Sequence, residues 1–195
     1  MKKYFNYLTC IVLASLTLNF AACKKDNPVR EDDQEEFDGA KIHFTAGQLH
    51  DGEFLPEGEP IEVTYTKGNT NPTPSHIHLE AGKTYLMEME FFAKGESVNS
   101  DFDAPHHQFF FIGAPEGILD YTYADDRIGL KGYLTINAIT EEGFDWKIIL
   151  RHGLDKSHTA AQTWNSPDYR QAGGTDDFNR SLEVHPVSAE EGHDH

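Results

Sequence analysis

Cysteine, positive charge and catalytic sequence motifs are all scarce in this chain. Its 195 residues include two cysteines, and 16 lysines and arginines stand against 33 aspartates and glutamates, for a formal net charge of −17. Such a field repels nucleic acids, which we exclude as partners, and it favours cations. The sequence contains no G-x-S-x-G, H-E-x-x-H, Walker or dinucleotide-binding motif, and its paired acids fall in expected turns. We therefore do not expect an enzyme.

The first 22 residues have the organisation of a cleaved export signal. Two lysines precede an apolar stretch, residues 10–22, that is too short to span a bilayer. Phe20-Ala21-Ala22-Cys23 resembles the bacterial lipobox, in which the cysteine is acylated and becomes the N-terminus, although the family usually has leucine in the place of Phe20. We expect lipidation of Cys23 and a membrane anchor made of acyl chains, each worth about 0.8 kcal/mol per buried methylene. Ordinary secretion is the alternative.

Removal of the signal and acylation of Cys23 would leave no thiol in the mature chain, because Cys10 lies within the signal. Disulfides, thiolate catalysis, iron–sulfur clusters and cysteine-ligated zinc sites are then excluded together. Any transition metal would be bound by imidazole and carboxylate groups. The chain has 11 histidines to supply the imidazoles.

Composition divides the mature chain into a tether, one domain and a tail. Residues 23–39 carry the lipidated cysteine and an acidic stretch that is too polar to bury apolar surface, so we expect a solvated tether. An acidic run directly after the lipidated cysteine also resembles the signal that sends Bacteroidota lipoproteins to the outer face of the outer membrane. Residues 40–187 have the composition of a single folded domain, and residues 188–195 form an acidic, histidine-rich tail.

Alternating apolar and polar residues, separated by turn residues, predict an all-β domain. Residues 85–91 and 144–152 each place apolar side chains at every second position, and residues 108–112 are apolar on both faces, as expected of a central strand. About eight such strands favour an antiparallel, immunoglobulin-like β-sandwich. Residues 94–106 and 153–179 lack the pattern. The second of these is long enough to indicate a functional or loosely ordered loop.

Two pairs of histidines have a spacing that suits metal binding. His76 and His78 would lie on one face of an extended strand, about 6.6 Å apart, with Ile77 pointing inward. They could then share one ion, and the alternative is two solvated surface histidines. His106 and His107 are adjacent and would face opposite ways, so at most one of them would join a given site. Here the alternative is a histidine packed at the rim of the core.

The remaining candidates lie at a strand end, in a loop and in the tail. His152 closes the apolar face of its strand, where a hydrogen-bonded core-edge residue is the alternative, and His158 follows on the long loop. His193 and His195 lie among acids, a composition that binds divalent metals weakly even without structure. Two further histidines fall at the polar positions of their alternating strands and are expected to be solvated: His43 and His185. The candidate metal ligands are therefore His76, His78, His106, His107, His152, His158, His193 and His195.

Three short motifs resemble a group of small uncharacterised Bacteroidota outer-membrane lipoproteins. They are HQFFF at residues 107–111, LRH at residues 150–152 with Lys156 beyond it, and AGGTD at residues 172–176. The resemblance covers residues 40–187 and implies a β-sandwich, an outer-membrane location and association with TonB-dependent transporters in nutrient capture. It matches His107 and His152 to positions of the group, whereas the other candidate histidines are additions of this chain.

These observations together predict a binding protein at the cell surface. Our leading hypothesis is capture of a divalent transition metal through histidines, zinc first and copper second, and its delivery to a TonB-dependent transporter. Haem capture, with one histidine as the axial ligand, is an alternative. A lipoprotein that docks on a transporter or a glycan, with no role for its histidines, is another.

Overall fold

The structure is a computed structural model that describes residues 37–189, and these residues form two β-sheets. The eleven strands are β1 (Gly39–His50), β2 (Glu53–Pro56), β3 (Ile61–Thr66), β4 (His76–Glu80), β5 (Thr84–Ala93), β6 (Glu96–Ser97), β7 (His107–Ile112), β8 (Leu119–Tyr123), β9 (Lys131–Ile136), β10 (Phe144–His152) and β11 (Thr175–Val187). Three short 3₁₀ turns accompany them, η1 (Asn99–Asp101), η2 (Thr159–Ala161) and η3 (Tyr169–Ala172). Residues 37–189 contain no helix long and apolar enough to cross a membrane. The signal segment, Cys23, most of the expected tether, His193 and His195 lie outside the described residues.

The two sheets confirm the predicted β-sandwich. One sheet has the order β2-β1-β5-β9-β8, with β3 also paired to β1 and β6 to β5, and the other has the order β4-β11-β10-β7. The structure has more strands than the eight or so predicted, because short strands such as β2 and β6 pair with their longer neighbours β1 and β5. It also departs from a purely antiparallel arrangement, since β4 pairs with β11 in parallel.

Alternation along the strands builds the main core between the sheets. In β5 the side chains that point inward are buried, as the sequence predicted: Tyr85, Met87, Met89 and Phe91. The opposite sheet contributes Trp146, whose ring lies 6.5 Å from that of Phe44 and 5.1 Å from that of Phe111. Burial of one such side chain contributes about 1.5–3 kcal/mol, so this interior supplies most of the driving force for folding.

A second apolar cluster lies on the outer face of β7 and β10. Residues 153–174, which we call the 153–174 connection, cover Phe110 and Ile149 there with Leu154, Ala161 and Tyr169. This packing explains why residues 109–112 are apolar on both faces although β7 is an edge strand and not a central one. The sequence predicted a functional or loosely ordered loop over residues 153–179, but residues 153–174 form a packed layer and residues 175–179 begin β11.

Candidate metal centre

Strand pairing brings two of the predicted histidines together. His107 begins β7 and lies directly opposite His152, the last residue of β10. Their ring centroids are 4.7 Å apart and their ring planes differ by 8°. The side chain of His107 is 5% exposed and that of His152 is 32% exposed, so one ring is held in the interior and the other reaches solvent. The ring of Phe102 packs 5.4 Å from His107 and ties this pair to the main core.

A β-bulge adds a carboxylate to this pair. The register between β10 and β11 shifts, so that Leu150 pairs with Phe178 and Arg151 with Asp176, and Asp177 is the extra residue between them. A bulge changes the direction of the side chain it carries. The buried carboxylate of Asp177 lies 3.8 Å, through Oδ2, from Nδ1 of His152.

The three residues form a candidate metal centre, which we call the inner site: His107, His152 and Asp177. Each offers one ligand atom, and these atoms all lie within 4.8 Å of one another. Within residues 37–189, no other three histidine, aspartate or glutamate residues meet that criterion. Two atoms that bind one zinc ion at 2.0–2.2 Å lie about 3.3 Å apart, so binding requires these separations to shorten by up to about 1.5 Å.

Asp103 orients His107 from outside the inner site. Its Oδ1 lies 3.1 Å from Nδ1 of His107, and its Oδ2 lies 2.7 Å from Nδ1 of His106. The hydrogen bond to His106, together with that to His107, lowers the pKa of the Asp103 carboxyl. The backbone N–H of Asp103 also donates to Nδ1 of His107 at 3.1 Å, so Nε2 can bind an ion only in the tautomer in which Nδ1 carries the proton and donates to Oδ1 of Asp103. A carboxylate behind a histidine in this way is the usual arrangement in metal-ligating histidines.

A buried ion pair fixes the strand end that carries His152. Arg151 donates from Nε to the carbonyl oxygen of Gly173 at 2.8 Å and from Nη2 to that of Gly174 at 2.7 Å, and its Nη1 binds Asp176. Burial raises the pKa of Asp176, but the hydrogen bond and charge of Arg151 outweigh it, and the net pKa is lowered. Gly174 has φ of +76°, and a Cβ there would lie 2.2 Å from the carbonyl oxygen of His152. Only glycine therefore fits beside this strand end.

Lys156 holds the loop that precedes β7 against the loop that connects β8 and β9. Its Nζ donates to the carbonyl oxygens of Ala104 at 2.7 Å, His107 at 3.1 Å and Arg127 at 2.8 Å. Burial lowers the pKa of Lys156 to about 8, and the nearby charge of Arg127 adds to this effect. The HQFFF, LRH and AGGTD motifs and Lys156 thus lie together around one end of the β7-β10-β11 sheet.

The other predicted ligands lie elsewhere. His106 is exposed and contacts Asp103. His158 caps η2, where its Nδ1 accepts a hydrogen bond from the backbone N–H of Ala160 at 3.1 Å. His76 and His78 occupy the outer face of β4, and the prediction that Ile77 points inward is confirmed because Ile77 is buried. None of these four is part of the inner site.

Comparison with known proteins and the ligand set of the inner site bear on its function. No family model, curated protein or solved structure matches this chain. Two imidazoles and one carboxylate are a ligand set that suits Zn²⁺ and that also binds Cu²⁺. With three protein ligands, a bound ion would keep a fourth position for water or for a group that takes the ion away.

Proposed function

We propose that this protein is a surface lipoprotein, not an enzyme, that binds a divalent transition metal at the inner site and delivers it to a TonB-dependent transporter. The observation that carries the proposal is the convergence of His107, His152 and Asp177, with their ligand atoms within 4.8 Å of one another. The three groups come from three strands, β7, β10 and β11. Since rigid strands position a site more precisely than loops do, the ligands are held close to the geometry that an ion requires.

The charges around the inner site support a cation as the ligand. A buried carboxylate next to two imidazoles supplies negative charge where a divalent ion would bind, and buried charges in proteins are paired or bind metals. Asp103 adds a second carboxylate behind His107. The net charge of −17 raises the local concentration of cations around the whole molecule.

Zinc is the first choice of metal. Zinc binds nitrogen and oxygen ligands in a tetrahedral arrangement, and two histidines with one carboxylate and an open position are a known zinc set. Copper(II) is the second choice because it binds the same ligands more tightly when it is available.

The packing beside His107 supports an ion in preference to haem. The rings of Phe91 and Phe102 lie 5.5 Å apart, and those of Phe91 and Phe178 lie 5.0 Å apart. These rings fill the interior next to His107 with side chains of the main core. An ion fits between the three ligands after small shifts, whereas a porphyrin would require this part of the core to open.

The anchor and the transporter are the parts of the proposal that rest on sequence. The lipobox-like Phe20–Cys23 segment supports lipidation, and the acidic residues after it support export to the outer face of the outer membrane. The transporter partner rests on the resemblance carried by the HQFFF, LRH and AGGTD motifs. An anchored protein that releases its ion through an open coordination position would suit delivery to a membrane transporter.

Competition titration with a chromophoric zinc chelator tests the metal proposal. We expect His107→Ala, His152→Ala and Asp177→Asn each to weaken zinc binding at the inner site by at least about tenfold. His158→Ala is the matched control, because His158 lies on the neighbouring connection and only caps η2. All variants should carry His76→Ala, His193→Ala and His195→Ala, so that neither the histidines of β4 nor the tail can bind the metal. Equal affinities for the His158 and His107 variants would overturn the proposal.

A further inference from the structure

A second group of histidines lies where β4 and β11 pair in parallel. The register places His78 beside His185 and His76 beside Glu183. Ile77 and Leu79 of β4 and Val184 of β11 point into the core. The three histidines and Glu183 therefore share the outer face of the sheet. His185, which the sequence indicated to be simply solvated, is the residue that completes this group.

The three rings form a triangle of the size that imidazoles form around one ion, although their nitrogens do not all lie within 4.8 Å of one another and must turn inward to share it. Their centroids lie 5.5 Å apart for His76 and His78, 5.5 Å for His76 and His185, and 5.2 Å for His78 and His185. A zinc ion bound at 2.0–2.1 Å by each nitrogen would lie about 3.2 Å from each ring centroid, which places the centroids about 5 Å apart. The observed triangle is close to this size.

The ring planes also suit a shared ion. They cross at 56°, 64° and 89°, so the three rings are not stacked on one another. A nitrogen lone pair lies in the plane of its ring, and crossing planes allow three lone pairs to meet at one point. Binding would require His76 and His78 to rotate about χ2, which is broad for histidine, so that their nitrogens turn toward that point.

Glu183 orients one of the three ligands. Its Oε1 lies 2.8 Å from Nε2 of His185, so Nδ1 is the nitrogen of His185 that is available to an ion. Gly143 lies against the same ring, and a Cβ there would be 2.5 Å from Nε2 of His185. The carboxylate and the close backbone thus fix the orientation of His185, as a carboxylate hydrogen-bonded to the far nitrogen fixes a metal-ligating histidine.

We propose that His76, His78 and His185 form a second binding site for a divalent transition metal, which we call the outer site. Along β11, His185 is eight residues from Asp177, or about 26 Å at the rise of a strand. The outer and inner sites are therefore separate, and each can bind an ion without the other. The outer site is partly open to solvent, because the side chain of His185 is 30% exposed. Three imidazoles with an open fourth position suit Zn²⁺, and Cu²⁺ is the stronger competitor.

Native mass spectrometry with zinc alone tests the outer site. The background protein carries His107→Ala, His152→Ala, His193→Ala and His195→Ala, which removes the inner site and the tail. We expect this protein to bind one zinc ion, and we expect His185→Ala or His76→Ala in the same background to weaken that binding at least about tenfold. His43→Ala is the matched control, since His43 is a partly exposed strand histidine beside Glu62 on the other sheet.

The outcomes separate the two sites. A background protein that binds no zinc, or one whose binding is the same in the His185 and His43 variants, would overturn the outer site. Loss of one ion on mutation of His107 and His152, with the outer ion kept, would support both sites. If His185→Ala failed to fold, as judged by circular dichroism, the exposed His76→Ala variant would decide, because His76 is not part of the core.

Discussion

His107 and His152 lie side by side across β7 and β10, with ring centroids 4.7 Å apart and ring planes within 8° of parallel. Because a lone pair lies in its ring plane, an ion held by both nitrogens requires the rings to tilt toward each other. His107 is buried and bound to Asp103, whereas about a third of the His152 side chain is exposed. Metal binding should therefore move His152 and leave His107 in place.

Replacement of Asp103 tests how His107 is oriented. We expect Asp103→Ala to lower zinc affinity at the inner site by roughly 10–100-fold without abolishing it, because Asp103 holds a ligand and is not itself one. Isothermal titration calorimetry gives the affinity. Asp101→Ala is the control, since Asp101 is an exposed acid of the same loop whose carboxylate accepts from Ser100. Unchanged affinity in the Asp103 variant would show that His107 needs no support.

Arg151→Met should destabilise the fold more than the same substitution of an exposed lysine on the same strand. The substitution removes the Arg151 guanidinium from two backbone carbonyl groups and from Asp176, which keeps its contact with the exposed Arg170. Loss of hydrogen bonds to a charged group costs about 1.5–3 kcal/mol. Lys147→Met on β10 is the control, because Lys147 is exposed. Urea denaturation measures both free energies of unfolding, and similar values for the two variants would contradict this role for Arg151.

Tyr121 should make the protein sensitive to high pH. Burial, together with the charge of Asp125, raises the pKa of the Tyr121 phenol above its ordinary value. The unfolded chain loses this proton near pH 10 while the folded chain keeps it, so the free energy of unfolding should fall as the pH rises above about 10. Tyr121→Phe cannot ionise in either state, and its stability should fall less steeply.

Urea denaturation between pH 8 and pH 11 measures this difference. At pH 8 the Phe variant should be less stable by about 1 kcal/mol, because it loses the hydrogen bond from Tyr121 to the carbonyl oxygen of Gly129. The two stability curves should then converge at higher pH. Curves that stay parallel to pH 11 would mean that Tyr121 does not carry the effect.

Cys23→Ser tests the anchor. We expect the variant to appear in the soluble fraction, because acyl chains on Cys23 are the expected membrane anchor. Fractionation and immunoblotting measure the distribution. Protease added to intact cells then tests the surface location, since a lipoprotein that faces the periplasm would survive. Membrane retention of the Ser variant would contradict the lipobox interpretation.

The β-sandwich was predictable because its signal is local. Alternation in residues 85–91 and 144–152 shows which side chains point inward, and β5 and β10 bear this out. Of the adjacent pair, only His107 joins the inner site, as predicted, but the reason is that β7 begins at His107 and His106 lies in the turn before it. The face of a strand on which a residue lies can therefore be predicted from the sequence.

Features that depend on pairing between distant strands were not predictable. Asp177 enters the inner site through a β-bulge, which the sequence does not mark, and its acidic neighbour made the pair look like a turn. His185 reaches His78 through parallel pairing of strands that are about a hundred residues apart. The edge position of β7 was hidden because the 153–174 connection covers its outer face. In each case tertiary contacts decide the role of the residue.

Anomalous X-ray scattering at the zinc edge, from crystals of the protein grown with zinc, tests the central claim most directly. We predict a peak within about 2.2 Å of ligand atoms of His107, His152 and Asp177, with the ring of His152 turned toward it. The same peak should be missing from crystals of His107→Ala grown in the same way. Zinc peaks confined to other places on the molecule, with the inner site empty at saturating zinc, would contradict the account.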